Sequence, residues 1–164
     1  TILHQRQEFI KQQLTRVEAL WIETKGLLVD HVCIRVDSNE LYNTIKEILS
    51  EQYPLLWWEK IVWWRNIVIF DIVNTYRTIK NPYDTLFELP APKSNHLYPN
   101  WLQHIEIVYP GNLEDLLTNH SSINRNKDWF YKPYNRDLSI MFHDMSEVKF
   151  HEQSLREVLT FECW

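Results

Sequence analysis

Two histidines stand in matching surroundings. His31 lies in Asp30-His31-Val32-Cys33-Ile34 and His104 in Gln103-His104-Ile105-Glu106-Ile107. Both segments alternate and are rich in Val and Ile, so both read as strands. Side chains at i and i+2 of a strand share a face. His31, Cys33 and Arg35 therefore share one face, with Val32, Ile34 and Val36 on the other, and His104 shares its face with Glu106. Neutral imidazole with carboxylate suits Fe(II), Mn(II), Ni(II) or Zn(II). A lone histidine at a strand start is more often structural than catalytic, so the weight rests on the two being placed alike.

The elements that must position them follow from the hydrophobic pattern. Ile10, Leu14, Val17 and Trp21 fall on one helical face, and Gly26 stands in a plausible stop region. A strand over Leu28 to Val36 follows, then a helix. Asp37 and Glu40 have capping-box spacing, and Leu41, Ile45, Ile48 and Leu49 form the buried stripe. Leu55 to Val62 and Arg65 to Val73 read as a hairpin, and Thr85 to Leu89 as a further strand. Pro90, Pro92 and Pro99 mark a rigid connection.

The pattern then restarts. Gln103 to Tyr109 is a strand, Pro110-Gly111 a turn, and Asn112 with Asp115 can cap a short helix bearing Leu113, Leu116 and Leu117. Leu138 to Phe142 and Glu147 to His151 read as strands. Ser154 and Glu157 again have capping-box spacing before a last helix containing Leu155, Val158 and Leu159. The whole reads as an internal repeat with a period of about 73 residues.

Composition bounds the rest. The chain has 164 residues and a 45% apolar content, enough for one domain with a sizeable core. A net charge of −5 with scattered Lys and Arg does not favour nucleic acid. No apolar run approaches a membrane span. The opening Thr1 to Arg6 lacks a secretory pattern, and Cys33 and Cys163 form neither a disulfide framework nor a CxxC motif, so a reducing cytoplasm is expected. There are only two glycines, so turns must rest on Asn, Asp and Pro, and eight tryptophans, which include the doublets Trp57-Trp58 and Trp63-Trp64.

A βαβββ module used twice resembles the vicinal oxygen chelate superfamily of glyoxalase I, extradiol dioxygenases and bleomycin-resistance proteins. More narrowly, the chain resembles the YecM-like family of bacterial cytoplasmic proteins. The motifs that carry this are Asp30 to Arg35, Phe87-Glu88-Leu89-Pro90-Ala91-Pro92, the stretch Tyr98 to Gly111, and Val148-Lys149-Phe150-His151 leading into Ser154-Leu155. The chain departs from the pattern at two hairpin turns. Trp63-Trp64 stand where the family places an Asn-Gly-like turn, and Asp144-Met145-Ser146 where it has a glycine.

The resemblance implies an α+β fold: one domain over 1–164, with an N-terminal helix in 1–25 and modules at 27–92 and 101–164. In it a mixed sheet curls into a glyoxalase/dihydroxybiphenyl dioxygenase-like cup. Both modules lie in one chain, so a monomer can complete the site, and a dimer is compatible. The superfamily draws metal ligands from the first and last strands of each module. Carried over, that gives His31, Glu88, His104 and His151, with a divalent Zn, Fe, Mn or Ni ion as cofactor. The last-strand ligand is usually Glu, so His151 stands equally as a hydrogen-bonding neighbour or proton shuttle. His4, His96, His120 and His143 lack such placement.

If the His31 and His104 faces line the cup, Arg35 and Glu106 are buried charges, costly unless paired. Mutual pairing is the plainer reading. The sharper one has Arg35 gripping a substrate carboxylate or phosphate and Glu106 acting as a general base. Lys149 can also face inward, and Cys33 reads as a small core residue. Three functions stay open. The first is a metal-dependent isomerase, lyase or oxidoreductase acting on a small oxygen-bearing molecule. The second is a metal-free module that sequesters a small ligand in the same cup. The third is a partner-binding protein using exposed Trp.

Overall fold

The first helix, α1 (Ile2–Glu18), buries Leu3, Arg6, Ile10, Gln13 and Val17 at spacings of three and four. Thr1 caps it by accepting from the His4 amide. The buried stripe differs from the one hydrophobicity alone selects. Leu14 is only half-buried, and Trp21 lies past the helix end, 91% exposed and at a φ of 64°. Gly26, at a φ of 81°, supplies the left-handed residue that turns the chain into the first strand.

The computed structural model describes residues 1–62, 65–72, 86–94, 100–121, 123 and 134–161, without the side chains of 56–58, 60, 62 and 161. The Trp57-Trp58 side chains and the turn at Trp63-Trp64 lie outside that description. The chain divides into a terminal unit, residues 1–30 with 104–164, and an interior unit, residues 31–103. Strand β1 (Leu28–Arg35) carries the chain from the first into the second.

In the interior unit β1 is followed by α2 (Asn39–Gln52), β2 (Leu55–Val62), β3 (Arg65–Asp71) and β4 (Leu86–Pro90). This is the expected βαβββ order. β1 pairs parallel with β4, β4 antiparallel with β3, and β3 antiparallel with β2. Alternation sorts the strands into two faces. Val32, Ile34, Val68, Phe70, Phe87 and Leu89 form a buried apolar face, and α2, packed on β3 and β4, adds Tyr42, Ile45 and Leu49. Ile48, expected in that stripe, is 49% exposed. Tyr42 Oη donates to Glu59 Oε1 (2.7 Å) and Lys46 Nζ reaches the same oxygen (3.1 Å), which ties α2 to β2. Burial and that carboxylate push the Tyr42 hydroxyl well above the usual phenol range.

The N-cap of α2 is Ser38, which accepts from the Leu41 amide, and not Asp37. Asp37 is taken by Asn100, whose Nδ2 donates to Asp37 Oδ2 (2.9 Å) and whose Oδ1 accepts from the Asp37 amide (2.8 Å).

In the terminal unit the order is α1, β5 (Trp101–Val108), α3 (Leu113–Asn119), β6 (Asp137–Met141), β7 (Glu147–His151) and α4 (Leu155–Phe161), with β5 entering from residues 101–103 of the interior unit. β5 pairs parallel with β7, and β7 antiparallel with β6. Ile105, Ile107, Leu138, Ile140, Val148 and Phe150 are the apolar face, with α1 against β7 and α3 against β6. The Ser154–Glu157 capping box forms in both directions. Ser154 N donates to Glu157 Oε2 (2.8 Å), and Glu157 N donates to Ser154 Oγ (3.3 Å). Both units combine helices with a mixed sheet, so the fold is α+β. No helix among the described residues is long and apolar enough to cross a membrane.

The β6–β7 turn is held by α1. Arg16 pairs with Asp144 (2.7 Å), donates to Ser146 Oγ (2.9 Å) and lies over the Phe142 ring. Met145 sits at a φ of 65°, the conformation a glycine would adopt without strain. The Arg16 guanidinium, helped by Ser146, holds the Asp144 carboxyl far below its ordinary 3.8. A carboxyl depressed on folding stabilises the fold above its unfolded value and loses that contribution as pH falls below it. Thermal melts from about pH 5 to about pH 2 should therefore show Asp144→Asn losing stability less steeply than the wild type. Parallel acid limbs would contradict this.

Candidate functional site

The polar residues of interest lie on the sheet faces opposite the apolar cores. In the interior unit the parallel β1–β4 register sets His31 opposite Leu86 and Cys33 opposite Glu88. His31 and Glu88 are thus diagonal neighbours on one face, and His31 Nε2 lies 3.4 Å from Glu88 Oε2. His31 is 2% exposed and Arg35, on the same face of β1, is 7% exposed. Cys33, on the same face, is fully buried.

In the terminal unit the β5–β7 register sets His104 opposite Glu147, Glu106 opposite Lys149 and Val108 opposite His151. Glu106 is the hub. Its Oε1 lies 3.2 Å from His104 Nε2 and 3.3 Å from Lys149 Nζ, and its Oε2 lies 2.5 Å from His151 Nε2. His104 is fully buried, and Glu106 and His151 are nearly so. The structure therefore gathers His104, Lys149 and His151 around Glu106, and sets Glu88 beside His31.

Two buried residues were not singled out from the sequence. Asp137 lies directly opposite His151 on β6. The alternation of Asp137 and Ser139 with Leu138 and Ile140 contains that signal once the strand is begun one residue earlier. Asp30, beside His31, accepts from the Leu155 amide at the start of α4 (2.8 Å), and no local pattern announces a contact that distant.

Each unit thus offers a buried imidazole nitrogen and a carboxylate oxygen 3.2–3.4 Å apart, and the terminal unit adds His151 at 2.5 Å. Charge-assisted N–H···O bonds run shorter, at about 2.7–2.9 Å. With metal–donor bonds near 2.1 Å, two donors on one ion stand roughly 3.0 Å apart at a right angle and 3.4 Å apart at a tetrahedral angle. The spacing and the mixed nitrogen–oxygen donor set both fit a divalent cation. Lys149 offers only donors and cannot be a ligand while protonated.

Comparisons with known proteins bear on the fold. The family model described as YecM protein matches residues 1–144. A search of curated proteins finds no match. Among solved structures, the structural-genomics protein EC4020 is similar at 23% identity and a TM-score of 0.67, over 94% of this chain and 92% of that one. A hypothetical protein, BH1468, of Bacillus halodurans C-125 is similar at 16% identity and a TM-score of 0.51, over 79% and 96%. A methylmalonyl-CoA epimerase of Mycobacterium tuberculosis aligns at 13% identity and a TM-score of 0.49, over 86% and 99%. The first two share this chain's fold.

Proposed function

The chain belongs to the YecM family, and from that premise we propose that it is a divalent-metal protein of the vicinal oxygen chelate type. His31 with Glu88 in the interior unit, and His104 with Glu106 in the terminal unit, are the imidazole–carboxylate pairs that would hold it. The observation that carries it is the buried imidazole–carboxylate pair found in each unit, at a spacing suited to a divalent ion. A bound ion of this kind polarises a carbonyl or accepts two adjacent oxygens of a small molecule.

The chain's own residues do the rest. Arg35 holds an anionic group of the substrate, since its planar fork matches a carboxylate or phosphate. Glu106 takes a proton at Oε2, the oxygen that lies 2.5 Å from His151 Nε2. His151, placed in the ligand set by resemblance, serves here as the neighbour that orients Glu106. The reaction class is isomerisation, lyase chemistry or oxidation of a small oxygen-bearing compound. The buried thiol of Cys33 suits a reducing, cytoplasmic setting.

Oxalate, a bidentate oxygen donor, tests the reading through the fluorescence of the eight tryptophans. Oxalate should quench protein loaded with Mn²⁺ or Zn²⁺ and leave EDTA-treated protein unchanged. Equal quenching in both states would make the chain a metal-free binder.

A further inference from the structure

The strand registers expose an exchange between the two units. In the interior unit, the residue two positions beyond the partner of His31 is Glu88, opposite Cys33. In the terminal unit, the residue two positions beyond the partner of His104 is Lys149, opposite Glu106. The two four-residue squares are thus His31 and Cys33 beside Leu86 and Glu88, and His104 and Glu106 beside Glu147 and Lys149. One square carries its diagonal carboxylate on the last strand. The other carries a carboxylate on the first strand and an ammonium where the diagonal carboxylate would be. His151 lies two residues further along than the place that Glu88 defines.

We infer that Glu106 has taken over the ligand position that the register gives to Lys149, and that Lys149 is the positioning residue that holds Glu106 there. The inference rests on the metal reading above and adds which carboxylate of the terminal unit binds and what fixes it. Residues directly opposite on neighbouring strands have β-carbons about 5 Å apart, so a glutamate at either position can bring its oxygens to the same volume. An ammonium at the second position excludes a cation from its own place and pairs with the relocated carboxylate. Lys149 Nζ lies 3.3 Å from Glu106 Oε1, the oxygen that His104 also faces, while His151 holds Oε2. Both oxygens are thereby oriented by residues of the same unit.

Moving the carboxylate back across the strand pair tests this. Affinity for Zn²⁺ and Mn²⁺ is measured by calorimetry on metal-free protein, for the wild type, Glu106→Gln, Lys149→Gln, Glu106→Gln/Lys149→Gln and Glu106→Gln/Lys149→Glu. Glu106→Gln should weaken binding by about 100-fold and Lys149→Gln by about 10-fold, the range for a ligand's supporting partner. Glu106→Gln/Lys149→Glu should bind at least about 10-fold more tightly than Glu106→Gln/Lys149→Gln. Equal affinity of those two double variants would overturn the exchange. So would Glu106→Gln binding within threefold of wild type. Lys149→Gln binding as the wild type would overturn the positioning role without depending on the folding of the Glu106 variants. A wild type that binds neither ion overturns the metal reading itself, an outcome separate from these.

Discussion

Replacing His104 with alanine should abolish most of the thermal stabilisation that a divalent cation gives this protein. A ligand that binds only the folded state at a thousand times its Kd adds about 4 kcal/mol. Losing a first ligand weakens binding by about 100-fold or more, which leaves roughly 1.4 kcal/mol at the same metal concentration. For a chain of this size each kcal/mol moves the melting temperature by about 2–4 °C. The wild type should therefore gain about 8–16 °C on adding Zn²⁺ or Mn²⁺, and His104→Ala only about 3–6 °C. The comparison is between melts with and without metal for each protein, so the cavity left by a fully buried imidazole cancels from it. Equal metal-induced shifts would remove His104 from the ligand set.

Phe150→Ala should cost about 3–5 kcal/mol, the range for truncating a fully buried phenylalanine. Phe150 is fully buried, pairs with Ile107 on one side and Leu138 on the other, and meets Tyr109 edge to face with centroids 6.2 Å apart. Truncation removes dispersion contacts on both flanks of β7 and leaves a cavity. Urea denaturation should show a lowered midpoint with an unchanged slope. Lys149 and His151 flank Phe150 in sequence and point to the opposite face, so this change also loosens the strand that orients Glu106. A loss below about 1 kcal/mol would contradict the packing described here.

Local signals in the sequence transferred well to the structure. The Ser154–Glu157 capping box depends on residues three apart and forms as its spacing predicts. The strand bearing His31 and the one bearing His104 also form where alternation places them, because both buried faces are written in the residues themselves. Distant partners were not legible. Asp37 is drawn away from its capping role by Asn100, 63 positions later. The α1 stripe includes Arg6 and Gln13, which hydrophobicity discards, and Gln13 accepts from Ser146 on the β6–β7 turn.

The site divides along the same line. His31 and His104, with the faces they share with Arg35 and Glu106, follow from period-two alternation within one strand. Which last-strand residue stands beside each histidine depends on parallel register. Resemblance treated Glu88 and His151 as equivalent, whereas the registers align Glu88 with Lys149.

Metal content decides whether the imidazole–carboxylate pairs hold a divalent cation. Elemental analysis of protein purified without chelator, then dialysed against Zn²⁺, Mn²⁺, Fe²⁺ or Ni²⁺ and desalted, tests it most directly. Stoichiometric metal is expected, held by the imidazole–carboxylate pairs and lost in His31→Ala/His104→Ala. Less than about one-tenth of an ion per chain with every metal, or the same content in that double variant, would contradict it.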